Sequence, residues 1–140
     1  MKISASIYSD KNRPLADVIK DLEDHQVDLL HVDCNDDLGV FEDIAKIRSW
    51  TSIPIDLHII TKDATKYYNL LRQHPVEYLT FQYEDLEDEL EIPSDIQGKK
   101  GLAVITPTSI EVFDKFQDFD FILIMATIPG QSGGKFDAVN

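Results

Sequence analysis

The sequence predicts an α/β protein in which repeated βα units build a parallel sheet. Short apolar, β-branched runs alternate with amphipathic stretches along the 140 residues, which is the pattern of such units. The strand runs are nearly continuous in apolar residues, as expected for strands covered on both faces. With 43% hydrophobic residues the chain can bury one real core, and its length suits a single domain over residues 1–140.

The first three strands come early in the chain. Strand Ile3–Tyr8 precedes Pro14, whose fixed φ suits the first turn of a helix, and apolar residues then repeat at helical spacing. Strand Val27–Asp33 follows. A second helix with its centre at Ile44–Trp50 leads to a third strand at Ile53–Ile60.

The second half of the chain continues the same alternation. Asp63 is expected to cap a helix that runs through Leu71. Three further strands are predicted at Val76–Gln82, Gly101–Ile105 and Phe119–Met125. Between the last two, Thr108 and Glu111 are spaced as a capping box, which predicts a helix through Phe116.

Seven acidic residues between Glu84 and Asp95 show little apolar periodicity, and they predict a solvated surface stretch in place of a regular helix.

The number of strand units leaves two architectures open. Six parallel units fit an open doubly wound sheet, and they also fit three quarters of an eight-stranded βα barrel. The pattern of apolar residues alone does not decide between these two.

Composition excludes several classes of protein. Thirteen Lys and Arg residues against 26 Asp and Glu give a formal net charge of −13, which argues against a nucleic-acid surface. The single cysteine, Cys34, cannot form an intramolecular disulfide or a thiolate metal cluster by itself. No apolar run is long enough to span a bilayer, and the N-terminus reads as a strand rather than a signal peptide. We therefore expect a soluble, cytoplasmic protein with neither membrane nor nucleic acid as a partner.

Imidazole and carboxylate side chains stand at the ends of two successive strands. The second strand ends with His31 and Asp33, which point to the same face because they are two residues apart. The third strand ends with Asp56 and His58, so a second imidazole lies at the equivalent edge. A polar residue at a strand end often does no more than meet water, but two such pairs on successive strands favour a site. Two imidazoles and a carboxylate suit one divalent ion such as Zn, Fe, Mn or Co. Asp56 lies one layer deeper and is predicted to support the ligands rather than to bind the ion.

Two other features are predicted to contact a substrate. Ser6, near the C-terminal edge of the first strand, offers a hydroxyl that can bond a substrate hydroxyl. A glycine-rich loop follows the sixth strand, and its Gly130, Gly133 and Gly134 offer backbone amides to an anionic group. Glycine loops are common, but loops at this edge build the sites of βα proteins.

Motifs spread in order over almost the whole chain resemble those of one family. They are Ala5-Ser6-Ile7, Leu30-His31-Val32-Asp33, Ile53 to His58, Tyr78-Leu79-Thr80-Phe81, Gly101 to Val104 with Pro107-Thr108, and Met125 through Gly130 to Phe136. In these motifs the chain resembles the ribulose-phosphate 3-epimerase family. The resemblance implies a TIM (β/α)8 barrel of the ribulose-phosphate-binding type, with about six of its βα units in this chain.

The resemblance also implies a chemistry. It suggests a metal-dependent epimerase that interconverts ribulose 5-phosphate and xylulose 5-phosphate by proton exchange at C3 through an enediolate. His31, Asp33 and His58 match three of the four ligands of one divalent metal ion, and Asp33 matches one of the two carboxylates that exchange the proton. Ser6 matches a substrate-contacting serine, Met125 matches a methionine lining the reaction site, and His58 is expected to contact the substrate as well. The family resemblance further suggests a homo-oligomer.

Part of that family's machinery is not expected in these residues. The other acid/base aspartate, which is also the fourth ligand, belongs to a seventh strand, so we expect the 140-residue chain alone to be inactive. Its unpaired sheet edges are expected to make it associate. Asn35, Ile60 and Gln82 depart from the family pattern in the pocket wall. They leave open an epimerase for another ketose phosphate, such as allulose 6-phosphate, or a non-catalytic degenerate paralogue that binds sugar phosphate or metal.

Overall fold

A computed structural model describes residues 2–10, 12–105 and 119–125, in which strands alternate with helices. The strands are β1 Ser4–Ser6, β2 Leu29–Asn35, β3 Ile55–Ile60, β4 Tyr78–Gln82, β5 Lys99–Ile105 and β6 Phe121–Met125. The helices are α1 Leu15–Asp24, α2 Val40–Trp50 and α3 Tyr68–Gln73, with 3₁₀ turns at Ala64–Tyr67 and Tyr83–Asp85. Each predicted strand is confirmed, and its bounds differ from the prediction by no more than two residues.

The six strands are all parallel and lie side by side in the order in which they occur along the chain. A doubly wound sheet reverses its strand order at a switch point, whereas a βα barrel adds each new unit on the same side of the last. The sequential order therefore decides between the two architectures. The chain forms six units of a barrel-type sheet, and the predicted fold class is confirmed.

The helices begin close to the predicted positions. Helix α1 starts directly after Pro14. The backbone N–H of Thr65 donates to the side chain of Asp63 at 3.0 Å, as expected of a cap, although the turn that follows is 3₁₀ and α3 begins only at Tyr68. The acidic stretch after β4 contains one 3₁₀ turn and no regular helix, as predicted. The helix predicted between Thr108 and Phe116 lies outside the described residues. No helix that the structure describes is long and apolar enough to cross a membrane.

One face of the sheet packs against the helices and forms the main core. Its fully buried strand residues are Leu30, Val32, Cys34, Ile55, Leu57, Ile59, Leu79 and Phe81, which cluster with Ile19, Ile44, Ile47 and Leu71 of the helices. Burial of each large aliphatic side chain contributes about 1.5–3 kcal/mol, which fixes the strands in their register. Because strand side chains alternate between faces, His31, Asp33 and His58 project from the opposite face, towards the inside of the barrel.

Candidate metal centre

Strand register places polar side chains in adjacent positions near the C-terminal edge of the sheet. Asp33 of β2 lies beside His58 of β3, which lies beside Thr80 of β4. His31 is two residues before Asp33 and lies beside Asp56. The structure therefore brings together the three residues that the sequence predicts as metal ligands.

The three candidate ligands are close enough to share one ion. His31 Nε2 lies 2.9 Å from Asp33 Oδ1, and His58 Nδ1 lies 3.4 Å from the same oxygen. One nitrogen or oxygen atom from each residue lies within 4.8 Å of the others. The side chain of His58 is 1% exposed, whereas those of His31 and Asp33 are 22% and 13% exposed. The group is thus closed on the β3 side and open on the β2 side.

Asp56 contacts the ring of His31 from the same layer of the sheet, one layer below His58. Its Oδ2 lies 3.0 Å from His31 Nδ1. A carboxylate at Nδ1 holds the proton on that nitrogen and leaves Nε2 facing Asp33. This contact agrees with the supporting role predicted for Asp56.

His58 has one satisfied and one unsatisfied ring nitrogen. Its Nε2 lies 2.7 Å from Gln82 Oε1. Its Nδ1 is fully buried and has no hydrogen-bond partner, although it faces Asp33 Oδ1. Buried polar atoms are normally paired, so an unpartnered nitrogen beside a carboxylate oxygen marks a position for a cation.

Two residues of this site, Gln82 and Glu84, are not identified as site residues from the sequence. The sequence predicts Gln82 only as a change in the pocket wall, and Glu84 only as part of the solvated acidic stretch. In the structure Gln82 Nε2 donates to Glu84 Oε1 at 2.6 Å, and the backbone N–H of Ile105 donates to Glu84 Oε2 at 3.1 Å. The available signal was their position at the end of β4, where Gln82 shares the face of Thr80 and lies next to His58.

In the absence of metal, the carboxylates of Asp33 and Asp56 favour the protonated form of His31. Burial lowers the pKa of His31, but its hydrogen bonds to Asp33 and Asp56 outweigh burial and raise that pKa to about 10. Burial raises the pKa of Asp33, but its contacts with His31 and His58 outweigh burial and hold that pKa well below the usual range. Because metal ligands must be deprotonated, a metal ion would have to displace a proton from this group.

The other predicted site residues lie at the same rim or outside the described residues. Ser6 is half-buried and lies beside His31 in the register of β1 and β2. Met125 is the last residue of β6, and its backbone lies beside that of Ile105. The glycines predicted to bind an anion, Gly130, Gly133 and Gly134, lie outside the described residues. Substrate contacts by all these residues and by His58 remain predictions.

The chain is similar to known proteins over almost its whole length. A family model described as the ribulose-phosphate 3 epimerase family matches residues 2–139. The ribulose-phosphate 3-epimerase of Bacillus subtilis is 28% identical over 149 residues, which cover 97% of this chain and 67% of the relative. The ribulose-phosphate 3-epimerase of Methanocaldococcus jannaschii is 29% identical over 146 residues, which cover 97% of this chain and 62% of the relative. The chain thus spans about two thirds of the length of these relatives.

Proposed function

Since the chain belongs to the ribulose-phosphate 3-epimerase family, we propose that His31, Asp33 and His58 bind one divalent metal ion that serves the epimerisation of a ketose phosphate at C3. The observation that carries this proposal is the buried, unpartnered Nδ1 of His58, which faces Asp33 Oδ1 at 3.4 Å. The names of the relatives supply the reaction.

The donor set fits such an ion. Two imidazole nitrogens and one carboxylate oxygen suit Zn, Fe, Mn or Co, and three protein ligands leave positions for substrate oxygens and a further ligand. When bound, the ion would stabilise the negative charge of an enediolate as a Lewis acid, an effect of several kcal/mol.

Asp33 is the proposed base on one face of the substrate. Epimerisation removes the proton next to the ketone and returns a proton to the opposite face, so it needs two acid/base groups. The low pKa of Asp33 keeps its carboxylate ionised, and its partial exposure leaves it accessible from the open side. The described residues of this layer on β4, β5 and β6 are Thr80, Gly101 and Phe121. None of these three titrates, so the second acid/base is proposed to come from elsewhere in the complete barrel.

The substrate is proposed to be ribulose 5-phosphate or xylulose 5-phosphate, and a second candidate is a longer ketose phosphate such as allulose 6-phosphate. The observation that favours the second candidate is the pair of Asn35 and Ile60. These two residues lie side by side at the ends of β2 and β3, two positions beyond Asp33 and His58. A substrate chain that leaves the metal layer would pass them, so their size and polarity would affect the length it accepts.

A titration of the 140-residue protein with Mn²⁺ tests this proposal. We expect one ion per chain, and we expect Asp33→Asn to weaken binding by about 100-fold or more, since it removes a ligand charge. Asp24→Asn is the matched control because Asp24 is exposed at the end of α1. Loss of binding by both variants, or by neither, would overturn the metal site.

The same titration in the presence of sugar phosphates separates the candidate functions. Because linkage is reciprocal, a ketose phosphate that contacts the ion must tighten Mn²⁺ binding. Ribulose 5-phosphate is expected to tighten it more than allulose 6-phosphate, and the reverse order would favour the second candidate. Metal binding that responds to neither sugar would indicate a non-catalytic paralogue. Interconversion of ribulose 5-phosphate and xylulose 5-phosphate by this chain alone at an enzyme-like rate would contradict the assignment of the second acid/base.

A further inference from the structure

A chain of three side chains runs from β5 to the metal centre. The backbone N–H of Ile105 donates to Glu84 Oε2, and Glu84 Oε1 accepts from Gln82 Nε2 at 2.6 Å. Gln82 Oε1 then lies 2.7 Å from His58 Nε2. Gln82 is fully buried and His58 is 1% exposed. Water therefore has little access to the contact between them.

The donor and acceptor groups of Glu84, Gln82 and His58 fix the direction of each hydrogen bond between them. An ionised carboxylate only accepts hydrogen bonds, so Glu84 must receive the amide NH₂ of Gln82. The amide oxygen of Gln82 must then face His58, which removes the usual ambiguity in the orientation of a glutamine side chain. An amide oxygen also only accepts, so the proton of His58 must be on Nε2.

From this sequence of contacts we infer that Gln82, oriented by Glu84, is a positioning residue that fixes the Nε2–H form of His58 and directs the lone pair of Nδ1 towards Asp33. This inference rests on the proposed function, since it assigns the metal-binding atom of His58. Gln82 itself touches neither the ion nor the substrate. It acts on the metal through the ring of His58.

The two histidines are therefore held in opposite ways. His31 is oriented through Nδ1 by the carboxylate of Asp56 at 3.0 Å and presents Nε2. His58 is oriented through Nε2 by the neutral amide of Gln82 and presents Nδ1. Both presented nitrogens face the same oxygen, Asp33 Oδ1. A neutral partner leaves His58 a less basic ligand than a carboxylate partner would.

The test combines Mn²⁺ binding with a measurement that needs no metal. Nitrogen-15 NMR of the metal-free 140-residue protein at about pH 8, above the ordinary pKa of histidine, shows which ring nitrogen of His58 carries a proton. We expect His58 to be in the Nε2–H form. Gln82→Met, which keeps the length of the side chain but offers only a weakly accepting thioether sulfur, should give a mixture of the two forms and weaken Mn²⁺ binding by about 10- to 100-fold. Gln97→Met is the matched control, because Gln97 is exposed just before β5, at the opposite end of the sheet.

Exchanging the two side chains provides a rescue. In the double variant Gln82→Glu with Glu84→Gln, an acceptor still faces His58, and the new amide at position 84 can donate to position 82 and accept from Ile105. We expect this variant to restore the Nε2–H form and most of the Mn²⁺ affinity. Gln and Glu have nearly the same shape, so packing is retained in this variant and the protonated nitrogen of His58 reports on the hydrogen bonds alone.

The outcomes distinguish this inference from the proposed function. If the wild type binds Mn²⁺ through Asp33 while Gln82→Met keeps both the affinity and the Nε2–H form, the positioning role is overturned and the metal site stands. If the wild type binds no Mn²⁺, the proposed function is overturned, and the NMR spectra alone decide whether Gln82 fixes the ring. If Gln82→Met fails to fold, the double variant decides, because an Nδ1–H form of His58 in it would contradict the inference.

Discussion

Replacement of Asp36 by alanine is expected to destabilise the rim of the candidate metal centre. Asp36 lies in the loop after β2 with a φ of +53°, a left-handed conformation that Asp tolerates better than Ala. Its Oδ1 accepts from Thr61 Oγ1 at 2.8 Å and from the hydroxyl of Tyr67 at 3.0 Å. The same oxygen pairs with Lys66 at 2.5 Å. One side chain therefore joins the β2 loop to the segment between β3 and α3.

The size of the loss follows from these contacts. The side chain of Tyr67 is fully buried, and removal of Asp36 leaves its hydroxyl only the sulfur of Cys34 as a partner, which costs about 1–2 kcal/mol. Thr61 retains the carbonyl of Asp63 at 3.3 Å as an acceptor and adds little. The ion pair with Lys66 is about half exposed and adds less than about 1 kcal/mol, while the left-handed backbone costs alanine about 1 kcal/mol. We expect Asp36→Ala to lower the free energy of unfolding by about 2–4 kcal/mol.

Urea unfolding followed by circular dichroism measures this loss. The control is Asp36→Asn, which keeps an acceptor oxygen and tolerates the left-handed backbone but removes the charge. We expect this control to cost less than about 1 kcal/mol. Equal losses for the alanine and asparagine variants would refute the reasoning, because the ion pair rather than the buried hydroxyl would then hold the loop.

Three further changes have expected effects on stability. Thr80→Val should raise the free energy of unfolding by about 1 kcal/mol, because Thr80 Oγ1 is buried without a hydrogen-bond partner and valine has the same shape; a lower stability in urea would contradict this. Gly98→Ala should cost about 2 kcal/mol or more, since Gly98 has a φ of +99° and a Cβ there would lie 2.2 Å from Val76 O; an unchanged melting temperature would contradict it. Burial raises the pKa of Glu77, but hydrogen bonds from the backbone N–H of Ile55 and from Arg48 outweigh burial and lower that pKa. The ionised form of Glu77 therefore stabilises the fold above the ordinary pKa of Glu, about 4.3. That stability is lost as the pH falls through the lower pKa of the folded state. The difference between wild type and Glu77→Gln should therefore be present at neutral pH, remain below about 1 kcal/mol because the group is partly exposed, and disappear in acid; a difference that grows in acid would show the opposite sign of shift.

The strands and most helix positions could be predicted from the sequence because they depend on local patterns. The apolar runs that locate the strands reflect burial of one sheet face against the helices. The sequence predicts only the centre of helix α2, Ile44–Trp50, and does not locate its start at Val40. Its start follows Gly39, whose N–H donates to Asp37 Oδ1 at 2.9 Å, so the helix lacks the usual Ser, Thr or Asp at the capping position itself. The order of the strands depends on contacts between distant segments, and no local pattern could supply it.

In the candidate site, too, the features that depend on local patterns could be predicted, and those that depend on contacts between distant segments could not. The side chains of His31 and Asp33 could be placed together because a spacing of two residues on a strand fixes a common face, and His58 followed from the equivalent end of β3. The roles of Gln82 and Glu84 depend on the turn after β4 and on the register with β5, which brings the N–H of Ile105 to Glu84. In the sequence, Glu84 is one of several acidic residues and looks like its solvated neighbours. Only its contacts with Gln82 and the N–H of Ile105 distinguish it from them.

The most direct measurement of the central claim is a crystal structure of the 140-residue protein grown with Mn²⁺, with an anomalous difference map at the manganese edge. We expect one strong peak bonded to His31 Nε2, Asp33 Oδ1 and His58 Nδ1, with His58 Nε2 still paired with Gln82. A map without a peak between these three atoms, or a peak coordinated through His58 Nε2 instead of Nδ1, would contradict it.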